Sequence, residues 1–225
     1  MPSNQKYKTL VIAVDGPAGA GKSTIAKRLA DLLHIAYLDT GAMYRALTLK
    51  ALRLKIDMED EEALVKMAQD AVVDLAGDAA DLKVLLDGED VSSAIRTTEV
   101  TNKTYFVART PRIRELMVQW QRRIAGTKGV VAEGRDIGTV VFPQADFKFY
   151  LDAHIEERTR RRMKDLKAAG KEIESKVLEA DIKRRDDSDK NRPVGPLMQA
   201  EDAIYIESSR MSVDDVIQQM LKYIS

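Results

Sequence analysis

The stretch TLVIAVDGPAGAGKSTIAKRLADLL, residues 9–33, decides the fold of this chain. Residues 9–15 are nearly all apolar and rich in β-branched side chains, which predicts a strand buried on both faces of a parallel sheet. A glycine-rich turn follows, and from Ser23 to Leu33 the apolar residues recur at the spacing of one helical face. The sequence therefore predicts a strand, a tight turn and an amphipathic helix in succession.

The turn between this strand and helix, residues 16–23, matches the pattern G-x-x-x-x-G-K-[ST]. Glycines let backbone N–H groups surround phosphate oxygens, because no Cβ stands in the way. The ammonium group of Lys22 suits the β- and γ-phosphates of a nucleoside triphosphate, and the hydroxyl of Ser23 suits Mg²⁺. The predicted triphosphate-binding residues are Gly16, Pro17, Ala18, Gly19, Ala20, Gly21, Lys22, Ser23 and Thr24.

The composition is that of a globular protein, and it excludes several function classes. Hydrophobic residues make up 44% and charged residues 32% of the 225 residues, so the chain can bury a sizeable core. It has no cysteine, which excludes disulfides, thiolate catalysis and cysteine-based metal sites. Its two histidines, His34 and His154, are far apart in the sequence, which disfavours a histidine-rich metal site. The 36 basic and 36 acidic residues cancel, which disfavours a general nucleic-acid binder.

The same sequence predicts the surroundings in which the protein works. No apolar run reaches about 18 residues, so we expect no membrane span. The polar N-terminus does not resemble a signal peptide, which together with the lack of cysteine predicts a cytoplasmic location. Because no apolar stripe beyond the core pattern indicates an interface, we expect a monomer with small-molecule substrates and with no nucleic-acid or membrane partner.

Further short apolar runs predict the rest of the sheet. These runs are residues 36–39, 129–133, 147–151 and 203–206. Helical patterns separate them, and the last helix is expected at 213–224. Alternating strands and helices favour an α/β fold with a parallel sheet.

An insertion between the second and third core strands is predicted at about residues 57–110. It includes an acidic helix whose apolar positions run from Leu64 to Leu75. A hairpin that turns at Asp87 and Gly88 follows the helix. We interpret this region as a small subdomain.

Four clusters of charged residues complete the pattern. They are residues 39–45, 133–136, 158–164 and 184–193. The first two follow strands, and the carboxyl ends of parallel strands face the ligand in this class of fold. Their arginines suit bidentate contacts with phosphate, which favours a kinase whose acceptor also carries a phosphate. The arginines of 158–164 would then form a mobile cover over the transferred group.

Each cluster also has a purely structural interpretation. Asp39 or Thr40 could cap the next helix, and Arg135 and Asp136 could form a salt bridge. Residues 158–164 could be a solvated helix face, and the mixed charges of the last cluster could form a surface network. The residues alone leave these alternatives open.

Four motifs stand in order along the chain. They are DGPAGAGKST at 15–24, LDTGAMYR at 38–45, GRDIGTVVFP at 134–143 and RRDDSDKNR at 184–192. From about Thr9 to the C-terminus, this ordered set resembles the bacterial cytidylate kinase family. The segment LDGEDVSSAIR at 86–96 is also typical of that family.

The resemblance implies a P-loop NTPase-type fold of the nucleoside monophosphate kinases, in which helices flank a five-stranded parallel sheet. It also implies an inserted subdomain that binds the nucleoside monophosphate (NMP) and a short lid. The expected arrangement is a tail at 1–8 and a single kinase domain at 9–225. Within that domain the core is expected at 9–56, 111–153 and 193–225, the NMP-binding insertion at 57–110, and the lid with the following helix at 154–192.

The resemblance further implies ATP as phosphoryl donor, Mg²⁺ as cofactor and CMP or dCMP as acceptor. The implied CMP-binding residues are Arg45, Arg135 and Arg192 at the phosphate, Arg185 and Asp189 at the sugar, Arg114 and Asp136 at the base, and Thr40, Tyr44 and Tyr105. The implied catalytic residues are Lys22, Arg135, Arg161, Arg162 and Arg192, of which Arg161 and Arg162 resemble lid arginines over ATP. Ser23 would hold Mg²⁺, with Glu133 acting through water.

Asp136 offers a chemical reason for selecting cytosine. A carboxylate accepts a hydrogen bond from the exocyclic amine of cytosine, whereas in uracil it would face a lone pair. A buried polar mismatch of that kind discriminates strongly between two bases.

Three positions depart from the family pattern. Tyr105 stands where members often place a small hydroxyl residue near the base, which changes the geometry of any hydroxyl contact. Glu133 stands where members often have Asp, and it keeps the charge on a longer side chain. Thr40 stands where some members have Ser, and it keeps the hydroxyl.

The predicted reaction is transfer of the γ-phosphoryl group of Mg·ATP to CMP and dCMP, which gives CDP or dCDP and ADP. One alternative is a related kinase that acts on UMP, shikimate or dephospho-coenzyme A. A second is a binding protein that only hydrolyses or senses ATP. A third is a nucleic-acid-binding ATPase, whose affinity would fall steeply with salt. A GTPase is disfavoured because residues 102–105 lack the Asp of an N-K-x-D motif.

Overall fold

Buried apolar runs form the central sheet of this protein. The computed structural model describes residues 7–168 and 170–224. Within them the strands are β1 (Val11–Asp15), β2 (Ala36–Asp39), β3 (Val73–Ala76), β4 (Lys83–Leu86), β5 (Glu89–Asp90), β6 (Val130–Gly134), β7 (Phe147–Asp152) and β8 (Ile204–Glu207). Strands β2, β6, β1, β7 and β8 form a five-stranded parallel sheet in that order. The predicted α/β fold is confirmed, and each predicted core strand lies within a residue or two of its expected place.

Helices flank this sheet and fill most of the remaining chain. They are α1 (Lys22–Leu33), α2 (Thr40–Arg53), α3 (Glu61–Gln69), α4 (Thr98–Arg109), α5 (Pro111–Ala125), α6 (Ile155–Ala168), α7 (Ser175–Asn191) and α8 (Val213–Ile224). A short 3₁₀ turn at Ala94–Arg96 and a π-helix at Ile137–Val141 were not predicted from the sequence. Among the described helices, none combines the length and the apolar character needed to cross a membrane.

The described residues divide into two compact units. The first unit comprises residues 7–10 and 30–132, and the second comprises residues 11–29, 133–168 and 170–224. The predicted division into core, insertion and lid stays a prediction.

Most of the predicted N-terminal tail, residues 1–6, lies outside the described residues. The two residues of that tail that are described belong to the first unit. The carbonyl of Lys8 accepts a hydrogen bond from the N–H of Gly129 at 2.5 Å.

The first unit is built on α2, which packs against α3, α4 and β4. Its core includes the fully buried side chains of Met43, Leu47 and Leu64. Strands β3, β4 and β5 form a small antiparallel sheet. The predicted hairpin is confirmed, because β4 and β5 pair across Asp87 and Gly88.

The predicted acidic helix is shorter than its apolar positions suggested. Helix α3 ends at Gln69, and Asp70 caps it by donating its backbone N–H to carbonyls of the last turn. Leu75 lies on β3 instead, opposite Val84 in the antiparallel register. The β-branched residues Val72 and Val73 favour extended backbone. Pairing with β4 then satisfies backbone groups that a longer helix would have bonded internally.

The second unit is built on β7, which pairs in parallel with both β1 and β8. Val14 lies opposite Phe149, which in turn lies opposite Ile204. Phe149 is fully buried and meets the ring of Tyr223 edge-on at 6.4 Å. Helix α8 packs against β7, and α6 packs against α7. This unit contains the loop that follows β1.

Candidate active site

The loop between β1 and α1 has the backbone that its glycines predicted. Gly16, Gly19 and Gly21 have φ angles of 150°, 79° and 95°. A Cβ at Gly16 would lie 2.0 Å from the carbonyl oxygen of Leu151, so no other residue fits there. The loop leads directly into the first turn of α1, where free N–H groups favour anions.

The functional side chains at the start of α1 lie close to acceptor atoms. Lys22 is buried, and its Nζ donates to the carbonyl of Pro17 at 2.9 Å. Burial, together with the charge of Arg135, lowers the pKa of Lys22 to about 7, although the carboxylate of Glu133 opposes this shift. An anion bound at this loop would therefore stabilise the charged form of Lys22.

Ser23 and Glu133 form the oxygen pair expected near a divalent cation. The hydroxyl of Ser23 donates to Glu133 Oε1 at 2.7 Å, and Glu133 is buried at the end of β6. In the described part of the chain, no group of three or more histidine or carboxylate side chains could hold a metal ion. Any cation here would complete its coordination with water and phosphate oxygens, as Mg²⁺ commonly does.

Arg135, Asp136, Asp189 and Arg192 form a network that we call the arginine cluster. Arg135 Nε lies 2.7 Å from Asp189 Oδ2, and Arg192 Nη2 lies 3.3 Å from Asp136 Oδ1. Arg192 Nη1 lies 3.7 Å from Asp189 Oδ1, so both arginines share that carboxylate. Glu133, two residues before Arg135, accepts a hydrogen bond from Ser23 at the start of α1, which places the arginine cluster beside the phosphate loop.

Asp189 carries its charge within this cluster. Desolvation acts to raise its pKa, but the guanidinium groups of Arg135 and Arg192 outweigh it and lower the pKa. Arg185, one turn earlier on α7, adds to the lowering. The structure therefore brings Arg135, Asp136, Arg185, Asp189 and Arg192 together.

Asp15 is a buried carboxylate that the sequence analysis did not single out. It ends β1 and accepts hydrogen bonds from the N–H groups of Ile137 and Gly138 at 2.8 and 2.7 Å. These residues begin the π-helix directly after Arg135 and Asp136. Asp15 thus fixes the backbone that carries part of the arginine cluster. The one available signal was an acidic residue at the end of an apolar strand.

The predicted lid arginines on α6 have different surroundings. Arg161 donates from Nη1 to the carbonyl of Ala20 at 3.0 Å and from Nη2 to the carbonyl of Ser208 at 2.7 Å. Arg162 is half-buried. Arg158 is buried and paired with Asp186, so it does not belong to a mobile cover. Helical spacing alone does not say which face of α6 is covered, so the sequence could not separate Arg158 from the predicted lid arginines.

In the first unit, Asp39 caps α2 and contacts Arg45. Its Oδ1 accepts from the N–H of Ala42 at 2.7 Å, and its Oδ2 lies 3.4 Å from Arg45 Nη2. The capping alternative therefore holds for Asp39, whereas Thr40 is the first, buried residue of the helix.

Tyr44 and Arg114 also meet in the first unit. The guanidinium of Arg114 lies 5.5 Å from the centre of the Tyr44 ring, within cation–π range. Arg114 is buried on α5, and its Nη1 donates to the carbonyl of Ala108 at 3.1 Å. A buried cation held against an aromatic face suits recognition of a polar planar group.

Tyr105 lies on the exposed side of α4. Its side chain is 45% exposed, and the guanidinium of Arg109 lies 5.2 Å from its ring centre. The neighbouring hydroxyl of Thr104 donates to the carbonyl of Val100 at 2.7 Å. Thr104 also accepts from the hydroxyl of Thr48 at 3.4 Å.

Comparison with known proteins agrees with the motif set. The sequence model of the family described as Cytidylate kinase matches residues 12–225. A "Cytidylate kinase" of Desulforamulus reducens is 49% identical over 213 residues, which is 95% of this chain and 96% of that protein. A "Cytidylate kinase" of Caldanaerobacter subterraneus subsp. tengcongensis is 48% identical over 216 residues, with 96% and 95% covered.

Similarity to a solved structure concerns the fold alone. An uncharacterized protein from Eubacterium ventriosum superposes with a TM-score of 0.54 at 12% identity, over 96% of this chain and 98% of that one. The family assignment therefore rests on the sequence relationship, which covers nearly the whole chain at close to half identity. This chain belongs to the cytidylate kinase family.

Proposed function

We propose that this protein transfers the γ-phosphoryl group of ATP to CMP and dCMP with the help of Mg²⁺. The bond between the γ-phosphorus and its bridging oxygen to the β-phosphate breaks. A new bond forms from a phosphate oxygen of the acceptor to the γ-phosphorus, which gives CDP or dCDP and leaves ADP. The relatives' shared name, cytidylate kinase, supports the acceptor.

The observation that carries the proposal is the arginine cluster beside the phosphate loop. A site that only hydrolysed ATP would need cations for one anionic ligand. Here Lys22 serves the loop, while the guanidinium groups of Arg135 and Arg192, oriented by the carboxylates of Asp136 and Asp189, add further phosphate-binding donors on the same unit. A second phosphate-bearing substrate requires such donors, because the like charges of the two substrates must be neutralised before the reacting atoms can approach.

The residues present also fit Mg²⁺. Ser23 and Glu133 offer a hydroxyl and a carboxylate whose oxygens lie 2.7 Å apart, and both are hard ligands of the kind this cation prefers. These two residues would hold Mg²⁺, Glu133 through water. When bound, the cation would neutralise charge on the phosphate oxygens of ATP.

Catalysis by this chain consists of positioning and charge neutralisation. The acceptor phosphate is already a nucleophile near neutral pH, so no strong general base is needed. Lys22 and the loop N–H groups hold the donor, and Arg135 and Arg192 hold the acceptor phosphate. Arg161 and Arg162 are assigned to the lid side of ATP, and Arg161 already bonds the loop carbonyl of Ala20.

Recognition of the acceptor nucleoside belongs to the same proposal. Asp136 is assigned to the amine of cytosine, and Arg185 and Asp189 to the sugar. The other assigned CMP-binding residues are Thr40, Tyr44, Arg45, Tyr105 and Arg114. The contact between Arg114 and the Tyr44 ring supports a role for these two residues with a planar ligand.

The direct test is ADP release from Mg·ATP with a panel of acceptors. CMP, dCMP, UMP, AMP and shikimate are run in parallel with a reaction that has no acceptor. Rapid release only with CMP and dCMP is expected. Equal turnover with UMP would contradict the role of Asp136, and acceptor-independent release would contradict the kinase itself.

Replacing Arg135 tests the arginine cluster within this assay. Arg135→Ala should lower turnover with CMP about a hundredfold or more, since it removes a cation aimed at the transferring group. Arg112→Ala is the matched control, because Arg112 is an exposed arginine paired only with Glu62 among the described contacts. Unchanged turnover in a folded Arg135→Ala protein would overturn the assignment.

A further inference from the structure

In the phosphate loop, the N–H and the carbonyl of Ala18 are both hydrogen-bonded to the same ion pair, which consists of Arg158 and Asp186. Asp186 Oδ1 accepts from the N–H of Ala18 at 3.1 Å, and Arg158 Nη1 donates to the carbonyl of Ala18 at 3.0 Å. The same Arg158 nitrogen pairs with Asp186 Oδ2. Arg158 lies on α6 and Asp186 on α7, so both helices that follow β7 reach the loop.

This ion pair is buried, and Arg158 makes a further hydrogen bond outside it. The side chains of Arg158 and Asp186 are 10% and 8% exposed. Arg158 Nε donates in addition to the carbonyl of Ala153 at 2.9 Å. Buried pairs of this kind contribute little net stability, because desolvation offsets their attraction, and apolar replacements of both partners are often tolerated. The role of the pair is therefore inferred from the backbone groups of Ala18 that it binds.

Peptide planarity converts these bonds into control over the phosphate-binding N–H groups. The carbonyl of Ala18 and the N–H of Gly19 belong to one rigid peptide unit and point in opposite directions. Arg158 therefore sets the direction of the Gly19 N–H when it binds the Ala18 carbonyl. Gly19 also approaches α6 so closely that a Cβ there would lie 3.1 Å from Arg158 Cβ.

Asp186 acts in the same way on the preceding peptide unit. The N–H of Ala18 and the carbonyl of Pro17 share one plane. Asp186 binds the N–H of that unit, and Lys22 Nζ donates to its carbonyl at 2.9 Å. The carboxylate thereby fixes the oxygen on which the Lys22 ammonium group rests.

We propose that Arg158 and Asp186 are a positioning pair, which orients the Gly19 N–H and the Lys22 ammonium group for the phosphates of ATP. The inference rests on the proposed function, because it takes ATP as the ligand of this loop. It assigns the pair no contact with either substrate. The pair acts on ATP through the loop backbone, whereas binding of CMP should depend on it little.

Equilibrium binding of each nucleotide alone tests this inference without a turnover assay. The affinities of ATP and of CMP are measured by calorimetry in EDTA, alongside the free energy of unfolding in urea. Asp186→Asn and Arg158→Lys should each weaken ATP about tenfold or more and CMP by less than about twofold. Arg158→Lys keeps the charge but loses the planar fork that reaches two carbonyls and a carboxylate together.

The decisive variant replaces both partners by apolar residues. The Arg158→Met, Asp186→Leu double variant should unfold at nearly the parent free energy and still bind ATP about tenfold more weakly. Recovery of ATP affinity together with stability would show a merely structural role and overturn the inference. If the double variant does not fold, Arg158→Lys gives the same comparison of ATP with CMP.

A matched control comes from the pair of Lys183 and Glu179 on α7, whose side chains are 58% and 34% exposed and whose Nζ and Oε1 lie 2.6 Å apart. The Lys183→Met, Glu179→Leu variant should bind both nucleotides as the parent does. Equal weakening of ATP and CMP in the Arg158 and Asp186 variants would overturn the inference. A parent protein that binds CMP but no ATP would instead overturn the proposed function, and this inference with it.

Discussion

Asp15 shows at the scale of one residue how a buried charge can serve geometry. Its carboxylate is buried, and both oxygens accept hydrogen bonds from backbone N–H groups of the π-helix. The pKa of Asp15 is raised from the ordinary 3.8 to about 6, chiefly by burial and also by the charge of Asp136. The two backbone hydrogen bonds and the charge of Lys22 act in the opposite direction.

The raised pKa of Asp15 predicts how stability changes with pH. Between about pH 4 and 6 the folded chain keeps a proton at Asp15 that the unfolded chain has lost. The free energy of unfolding should therefore fall as pH rises through this window, by about 3 kcal/mol from this group. Asp15→Asn should flatten that fall, which urea unfolding at several pH values measures. Asp31→Asn, at an exposed position on α1, should leave the slope unchanged. A fall in Asp15→Asn as steep as in the parent would contradict this account.

At the scale of elements, the small sheet of the first unit depends on two glycines in different ways. Gly88 closes the turn between β4 and β5 with φ at +86°, and a Cβ there would meet nothing within 4 Å. Gly77, which follows β3, has φ at +91°, and a Cβ there would lie 2.3 Å from the carbonyl oxygen of Asp81. At Gly88 only the backbone conformation disfavours a side chain. At Gly77 a side chain would also clash with the backbone of Asp81.

These two glycines predict unequal losses of stability. Gly88→Ala should lower the free energy of unfolding by about 1 kcal/mol, the usual cost of a left-handed conformation for alanine. Gly88→Asn should lose less, because asparagine tolerates that region. Gly77→Ala should lower the free energy of unfolding clearly more than Gly88→Ala does, because the backbone near Asp81 must move to make room for the Cβ. Urea denaturation compares the three, and equal losses at both glycines would rule out the steric argument.

At the scale of the whole molecule, acceptor binding should appear as thermal stabilisation. At about 100 times its dissociation constant, CMP would add about 2.7 kcal/mol to the free energy of unfolding. For a chain of this size that corresponds to a rise in Tm of about 5–10 °C. Shikimate at the same concentration should give no shift. Differential scanning fluorimetry measures both.

The same measurement tests Arg45 against a neighbour on α2. Arg45→Met should lose most of the shift with CMP, because Arg45 is assigned to the acceptor phosphate. Arg53→Met should keep the full shift, since Arg53 is exposed and paired with Glu89. A full CMP shift in Arg45→Met would remove Arg45 from the site. Oligomeric state and cellular location stay predictions of the sequence.

The sequence predicted those features whose causes are local in the chain. Strands β1, β6 and β7 follow from short buried runs, and the phosphate loop follows from glycines, a lysine and a serine within eight positions. The turn at Asp87 and Gly88 was equally readable, because turn conformation depends on the residues in it. After Gln69, helical spacing of apolar residues competes with β-branched residues that favour a strand. There the prediction of a continued helix was wrong.

What the sequence determined by itself is therefore the fold class, the family and the residue types at the phosphate loop. Only the tertiary structure decided which charges meet. Ala18 bonds Asp186 from 168 positions away, and Ile137 bonds Asp15 from 122 positions away. It also decided that Arg158 is buried while Arg160, two positions later on the same helix, is exposed. Periodicity shows which residues share a face of a helix, but burial depends on what packs against that face, and distant segments of the chain supply that packing.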